Sequence, residues 1–194
     1  MKFTKKQIDR YSRQIILKKI GVIGQKKLLK SSVLVVGVGG LGSPIAIYLA
    51  ALGIGKIGIV DKDNVEISNL SRQIIFETND IKKNKSSTAI SKLRKINPDI
   101  QLKSFNKNLT IVNINQIAKK FDLIVDGSDN FRTRFLINDY CLKNKKILVS
   151  GAISKFDGQV YTFNFSKKNL LVLDALFLEY QETLILVIVN TRAF

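Results

Sequence analysis

The segment VLVVGVGGLGSPIAIYLAALG, residues 33–53, is the feature that most constrains how this 194-residue chain can fold. An apolar strand breaks into glycines, and apolar residues then resume with helical spacing. Gly37, Gly39 and Gly42 match the phosphate-binding fingerprint between a strand and a helix, and Gly40 is an additional glycine. We expect these glycines to allow a tight turn and a close approach of the backbone to phosphate, with the N-terminus of the helix facing the anion.

Strands and helices alternate along the rest of the chain. Beyond predicted helices in residues 5–30, we expect strands at 32–37, 56–61, 100–106, 122–129 and 146–153, and helices at 42–53, 85–95, 113–121 and 131–144. Repeated βα units favour an α/β fold with a Rossmann-like, doubly wound, mostly parallel sheet. Residues 158–165 alternate with a period of two, as an antiparallel edge strand does.

The domain prediction follows from these elements. One nucleotide-binding domain is expected at residues 1–168, with N-terminal helices at 1–30 and the Rossmann-like core at 32–165. Residues 169–194 form an apolar tail that has neither clean helical nor clean strand periodicity.

Composition limits the other classes of protein. A single cysteine, Cys141, and the absence of histidine argue against a disulfide or a structural zinc site. The net charge of +17 is spread over the whole length, so we interpret it as a general lysine bias and not as a dedicated nucleic-acid surface. Acidic protein partners would fit the charge equally well. No signal peptide and no run of about 20 apolar residues is present, so we expect a cytoplasmic protein without a membrane span.

The loop after the second strand narrows the choice of nucleotide. Asp61 ends that strand, where a ribose-binding carboxylate is expected. The sequence DKDNVEISNLSRQ follows, and its Asn69 and Arg72 suit a triphosphate, because an arginine guanidinium binds two phosphate oxygens at once. On these residues an NAD(P)-dependent oxidoreductase remains an alternative, although the chain lacks histidine, a common acid or base in hydride transfer.

Four motifs in order give a more specific resemblance: RYSRQIIL, then GVGGLG through NLSRQ, then DGSDNFRTRFLIND, and finally LVSGAISKFDGQV. Together, over residues 7–165, they resemble the ThiF/MoeB/HesA family, the bacterial relatives of ubiquitin-activating enzymes. The resemblance implies an adenylyltransferase that uses ATP to activate the C-terminal carboxylate of a ubiquitin-like sulfur carrier protein ending in Gly-Gly. The products would be an acyl-adenylate and pyrophosphate, in molybdopterin or thiamine biosynthesis.

The resemblance also implies roles for residues of the polar loop. Asp61 matches the ribose ligand of the family, with local hydrogen bonding as the alternative. Asn69 and Arg72 match a pair that contacts phosphates. Lys85 matches a lysine at the start of the next helix, and a solvated surface lysine is the alternative.

The resemblance also assigns Asp129 and Arg13, whereas the expectation for Cys141 comes from its own position in the sequence. Asp129, beside Asn130, matches the acid that holds Mg²⁺ near the leaving pyrophosphate, and an N-cap role for Asp129 is the alternative. Arg13 matches an arginine that family dimers contribute to the neighbour's ATP, and otherwise it is a surface residue. Cys141 occupies an apolar helical position, so we expect it to pack in the core rather than act as a nucleophile.

The chain departs from the family pattern after residue 168. Family members continue past residue 194 with two Cys-x-x-Cys pairs for zinc and further strands, and this chain lacks them. We therefore expect a truncated chain or a shifted reading frame, an incomplete C-terminal extension of the sheet and no structural zinc. A homodimer is expected if the C-terminal part is intact. A catalytically inactive fragment that still binds nucleotide is the second functional hypothesis.

Overall fold

The structure is a computed structural model of the chain, and it describes residues 2–166. The helices are α1 (Lys5–Ile15), α2 (Gly21–Lys30), α3 (Gly42–Leu52), α4 (Lys85–Ile96), α5 (Ile114–Ala118) and α6 (Phe131–Lys143). The strands are β1 (Ser32–Val36), β2 (Lys56–Val60), β3 (Gln101–Phe105), β4 (Leu123–Asp126), β5 (Ile147–Ser154) and β6 (Asp157–Asn164). Two short 3₁₀ turns, Ile67–Asn69 and Thr78–Asp80, lie in the polar loop between β2 and α4.

The strands form a single sheet in the order β3-β2-β1-β4-β5-β6. Strands β1 to β5 are parallel, and β6 pairs antiparallel with β5. This is the strand order of a doubly wound Rossmann fold, so the predicted α/β class is confirmed. Strands β2 and β3 lie on one side of β1, and β4 and β5 lie on its other side, so the strand order reverses at β1. A crevice therefore opens at the carboxyl ends of β1 and β4, where such sheets bind ligands.

The hydrophobic core lies on both faces of the sheet. Alternate residues of β1 point to opposite faces: Val33 and Val35 belong to the layer covered by α3 and α4, whereas Leu34 and Val36 belong to the layer covered by α5 and α6. Every residue of β1 is buried, which explains why its sequence is continuously apolar rather than alternating.

The N-terminal helices attach to the edge of the sheet opposite the crevice. The side chain of Tyr11 in α1 is completely buried, and its hydroxyl oxygen accepts a hydrogen bond from Asn97 Nδ2 at 3.0 Å. The ring of Tyr11 lies against Gly53, which ends α3 as predicted, with a left-handed φ of 81°. A residue with a side chain at this position would strain both the backbone and the packing.

Some predictions concern residues outside those described. The apolar tail at 169–194, the incomplete sheet extension and the shifted reading frame all fall there. Within residues 2–166, no helix combines the length and the apolar composition needed to cross a bilayer.

We predict that the Gly53→Ala substitution destabilises the fold by roughly 2–4 kcal/mol. An added β-carbon would lie 2.6 Å from ring carbons of Tyr11, at a backbone conformation that alanine rarely adopts. Chemical denaturation of the parent and variant chains measures this difference. Gly158→Ala is the matched control, because no atom lies within 4 Å of a β-carbon there. Equal stability of the parent and Gly53→Ala chains would show that the contact of Tyr11 with Gly53 does not anchor α1.

Candidate functional site

The turn after β1 is built from backbone in close contact. Gly37 has a φ of 81°, and its N–H donates to the carbonyl oxygen of Val60 at 2.9 Å. A β-carbon added at Gly42 would lie only 1.9 Å from the carbonyl oxygen of Gly37. Both positions therefore require glycine for the chain to close the turn and start α3. In the described part of the chain, no side chain caps the N-terminus of α3. The Ser43 N–H already donates to the Gly39 carbonyl oxygen at 2.9 Å and Pro44 has no N–H, so the Gly42 N–H is the group that this helix start leaves for an anion.

The other two glycines of the turn are not required by packing of the chain on itself. A β-carbon at Gly39 would meet its nearest neighbour, Gln73 Nε2, at 3.8 Å, and one at Gly40 would meet the side chain of Arg72 at 3.5 Å. These are ordinary contact distances. The turn thus keeps bare backbone at two positions where a side chain would fit, as expected where a ligand approaches closely.

The same distances locate the predicted phosphate-binding residues. The side chain of Arg72 runs beside Gly40, so the polar loop after β2 lies next to the glycine turn. Gln73, which was not predicted from the sequence, also borders the turn and is only 3% exposed. Its Oε1 is buried and has no hydrogen-bond partner among the described residues. The only sequence signal for it was its place in SRQ, directly after Arg72.

Asp61 links the glycine turn to the polar loop. Its Oδ2 accepts a hydrogen bond from the Val38 N–H and its Oδ1 accepts one from the Asp63 N–H, each at 2.9 Å. Burial raises the pKa of the Asp61 carboxyl, while these two hydrogen bonds and the nearby Lys85 ammonium lower it. The predicted local hydrogen bonds exist, and each oxygen keeps a second lone pair for a ligand hydroxyl.

Lys85 is only 7% exposed, so its interpretation as a solvated surface lysine is wrong. Its Nζ lies 3.6 Å from Asp63 Oδ2, and its backbone N–H donates to the Asp63 carbonyl oxygen at 2.8 Å. Asn84 caps the helix at this point by accepting a hydrogen bond from the Ser87 N–H. Asp63 was not predicted from the sequence, although DKD places it two residues after Asp61, on the loop that Lys85 closes.

Asn69 and Arg72 shape the polar loop. Asn69 is buried, and its Oδ1 accepts a hydrogen bond from the Glu66 N–H at 3.1 Å, which closes the first 3₁₀ turn. Arg72 is exposed, and its Nη1 donates to the Ser68 carbonyl oxygen at 3.1 Å. Asn69 therefore folds the loop, and Arg72 lies beside Gly40 with other guanidinium N–H groups still available for a ligand.

The acidic loop after β4 meets the glycine turn from the other side. A β-carbon at Gly37 would lie 2.9 Å from the carbonyl oxygen of Gly127, so the two backbones touch. The side chain of Asn130 caps α6 by accepting a hydrogen bond from the Thr133 N–H at 2.9 Å. The alternative N-cap role for Asp129 is therefore wrong, and Asp129 is exposed.

The remaining two assignments have different outcomes. Arg13 is exposed on the last turn of α1, which Tyr11 anchors at the far end of α3, roughly 16 Å along the helix from the glycine turn. One chain therefore does not bring Arg13 together with the other predicted residues. Cys141 is completely buried, and burial raises the pKa of its thiol to about 12, which suits a packing role.

The glycine turn, the Asp61 loop and the Asp129 loop thus meet at the carboxyl ends of β1, β2 and β4. This topology and this crevice define a Rossmann-like α/β domain of the kind that binds nucleotides at the switch point of the sheet. A model of the ThiF family matches residues 11–183, and the chain belongs to that family. The match extends beyond residue 168, where the domain was expected to end.

Two curated relatives are similar to most of this chain. The chain is 49% identical over 163 residues to a probable molybdopterin-synthase adenylyltransferase of Porphyra purpurea, covering 84% of this chain and 43% of that protein. It is 46% identical over 164 residues to a sulfur carrier protein adenylyltransferase of Thermus thermophilus, covering 84% of this chain and 60% of that protein. The chain thus spans about half the length of these two relatives.

Solved structures share the fold. The E. coli tRNA N6-threonylcarbamoyladenosine dehydratase TcdA, in complex with ATP, superimposes with a TM-score of 0.76 at 27% identity, covering 81% of this chain and 65% of that one. E. coli MccB with AMPCPP gives a TM-score of 0.68 at 29% identity, covering 74% of this chain and 45% of that one.

We predict that Lys85→Met raises the pKa of Asp61 further, because the substitution removes an ammonium group that lowers it. Carbon-detected NMR titration of the aspartate carboxyls measures this pKa. The folded chain binds the Asp61 proton more tightly than the unfolded chain does. The contribution of Asp61 protonation to stability therefore increases as the pH falls through the folded-state pKa.

Lys83→Met is the control, because Lys83 Nζ lies 3.3 Å from Asp80 and so pairs with a different carboxylate. An unchanged Asp61 pKa in Lys85→Met would contradict the coupling.

Proposed function

We propose that this chain carries the nucleotide site of an adenylyltransferase that activates the C-terminal carboxylate of a ubiquitin-like sulfur carrier protein ending in Gly-Gly. The observation that carries the proposal is the meeting of three loops at one edge of the sheet: a glycine turn, a loop with buried and exposed cations, and a loop with an exposed carboxylate. The named activities of the Porphyra and Thermus relatives support this substrate class. The Porphyra relative favours a molybdopterin-type carrier over a thiamine-type one.

ATP fits the glycine turn and its surroundings. The bare backbone at Gly39 and Gly40 would let phosphate oxygens approach, and the Gly42 N–H at the uncapped start of α3 would donate a hydrogen bond to one of them. Asp61 would accept hydrogen bonds from the ribose hydroxyls, using the lone pairs that its two backbone hydrogen bonds leave unused. The ATP complex of TcdA, a solved relative with this fold, supports ATP as the nucleotide.

The cations around the turn favour a triphosphate over a nicotinamide cofactor. Arg72 lies beside Gly40 and can bind two phosphate oxygens with its planar guanidinium. Lys85 is buried next to Asp61 and Asp63, where low exposure strengthens its attraction for a nearby anion. The side-chain oxygen of Asn69 already accepts a hydrogen bond from the Glu66 N–H, so Asn69 would contact a phosphate by donating from its side-chain amide nitrogen.

The reaction itself needs positioning and positive charge. An oxygen of the carrier carboxylate forms a bond to the α-phosphorus of ATP, and the bond from that phosphorus to the bridging oxygen breaks. Pyrophosphate leaves with the electron pair, and the other product is the acyl-adenylate. Both reactants are anionic at neutral pH, so no general base is required. The chain would contribute by holding the anions together and stabilising the charge that develops on the phosphates.

Asp129 fits the predicted magnesium ion. Its carboxylate is exposed, and among the described residues its only hydrogen-bond partner is Asn130 Nδ2, at 3.5 Å. Carboxylate oxygens are ligands that Mg²⁺ prefers, usually together with phosphates and water. When bound, the ion would neutralise charge on the departing pyrophosphate.

We also propose that the active form is a homodimer in which Arg13 of one copy faces the nucleotide of the other. Arg13 is exposed, and its helix is anchored away from its own glycine turn. Large apolar side chains close to it along the chain are also exposed: Ile16 is 69% exposed and Ile23 is 72% exposed. Such side chains suit a surface that a second copy covers.

We predict that the protein catalyses exchange of pyrophosphate into ATP when a Gly-Gly-ended carrier is present. Asp129→Ala and Arg72→Ala should each lower the rate at least about 100-fold, because Arg72 would bind phosphate oxygens and Asp129 would hold the magnesium ion that neutralises them. Arg132→Ala is the matched control: it removes an exposed arginine three residues from Asp129 and should leave the rate unchanged. Normal exchange by both Asp129→Ala and Arg72→Ala would overturn the site assignment.

A binding measurement separates the functional hypotheses. We predict that Mg²⁺–ATP at 100 times its dissociation constant stabilises the chain by about 2.7 kcal/mol, and that NADH at the same concentration does not. Thermal denaturation with each ligand tests this. Stabilisation by ATP without any exchange would identify an inactive nucleotide-binding chain. Stabilisation by NADH alone would identify an oxidoreductase.

A further inference from the structure

We propose that Arg134, in the first turns of α6, is a positioning residue that holds the Asp129 loop against the glycine turn. The inference rests on the proposed function, since it concerns how the carboxylate that would hold Mg²⁺ is kept in place. Arg134 would not touch the nucleotide or the metal. It would act through the backbone of Ser128.

The contact between Arg134 and the loop is short. Its Nη2 donates to the Ser128 carbonyl oxygen at 2.6 Å, and the side chain is half-buried. Hydrogen bonds from a charged donor are stronger than neutral ones. The Ser128 carbonyl and the Asp129 N–H belong to one planar peptide unit. Fixing the carbonyl therefore also fixes the direction in which the backbone enters Asp129.

A second set of hydrogen bonds connects Ser128 to the end of β4. Asp126, at the end of β4, is 1% exposed. Its Oδ1 accepts hydrogen bonds from the Ser128 N–H at 3.0 Å and from Ser128 Oγ at 2.6 Å. Its Oδ2 accepts one from Ser150 Oγ on β5 at 3.1 Å. With the Arg134 contact, the N–H, hydroxyl and carbonyl groups of Ser128 are all bonded.

The residue on the other side of Asp129 is also fixed. Asn130 caps α6, and its carbonyl oxygen accepts a hydrogen bond from the Arg134 N–H at 3.2 Å. Asp129 thus lies between two residues held in place, while its own carboxylate stays exposed. A held backbone, with a carboxylate whose only hydrogen-bond partner among the described residues is Asn130 Nδ2, leaves carboxylate oxygens available to a metal ion.

Two observations argue against a simpler role for Arg134. Within the described residues it forms no ion pair with Asp126 or Asp129, so it does not neutralise either carboxylate. It also lies near the N-terminus of α6, where a positive charge opposes the helix dipole. Its charge therefore does not stabilise the helix. Its hydrogen bond to the Ser128 carbonyl oxygen accounts for its position.

The first test needs no ligand. Hydrogen exchange measured by mass spectrometry should show faster exchange in a peptide covering residues 126–131 of Arg134→Ala than in the parent chain. Arg132→Ala, the same change on the exposed side of the same helix, should exchange like the parent. Equal exchange in Arg134→Ala and Arg132→Ala would overturn the proposal.

The second test measures ATP affinity with Mg²⁺ and with EDTA. We expect Arg134→Ala to weaken Mg²⁺-dependent binding roughly 10–100-fold and to leave binding in EDTA unchanged. A residue that only stabilises the fold would weaken both. In an Asp129→Ala background, Arg134→Ala should have little additional effect. Arg134→Lys, which keeps one donor and the charge, should give an intermediate loss, and it serves if the alanine variant does not fold.

The outcomes separate this proposal from the function on which it rests. Absence of ATP binding by the parent chain overturns the proposed function, and hydrogen exchange still decides whether Arg134 orders the loop. If the parent chain binds Mg²⁺–ATP and Arg134→Ala binds it equally well, the positioning role is wrong and the proposed function stands.

Discussion

The contact between two stretches of backbone, the glycine turn after β1 and the loop after β4, is the constraint on which the candidate site depends. The carbonyl oxygen of Gly37 lies where a β-carbon of residue 42 would be, and the carbonyl of Gly127 lies where one of residue 37 would be. Only residues without side chains allow this approach. The sheet order makes it possible, because β4 pairs directly with β1. The loop that carries Asp129 is thereby placed beside the turn that is built to face an anion.

A cluster of charged side chains lies on the other side of the glycine turn, in the loop after β2 and at the start of α4. Asp61, Asp63 and Lys85 place two carboxylates and one ammonium close together, with Lys85 almost fully buried. Such clusters rarely add stability, since removing charges from water costs about as much as their attraction returns. The position of this cluster beside the glycine turn is consistent with the proposed nucleotide site. Asp61 already holds the turn through Val38, directly after the carboxyl end of β2.

The sequence predicted the fold and named most of the residues that the structure brings near the glycine turn, and the gaps have physical causes. Strand β1 and the start of α3 follow from a local pattern, whereas the pairing of β1 with β4 is set by long-range packing. Four glycines look alike in the sequence, but only Gly37 and Gly42 are required by backbone contacts. The burial of Lys85 depends on a loop folding over it. Asp129 and Asn130 are both good N-caps, so only the structure could assign the cap to Asn130.

The two aspartates of the β4 loop show how one residue type serves two purposes. Asp126 is buried with both oxygens bonded, so it holds the loop. Asp129 is exposed, and it has no cationic partner among the described residues, in a chain with 32 lysines and arginines against 15 acids. Arg134, the nearby cation, donates instead to a backbone carbonyl. The loop therefore presents an exposed carboxylate without a cationic partner among the described residues, which is the kind of ligand that the proposed magnesium ion would need.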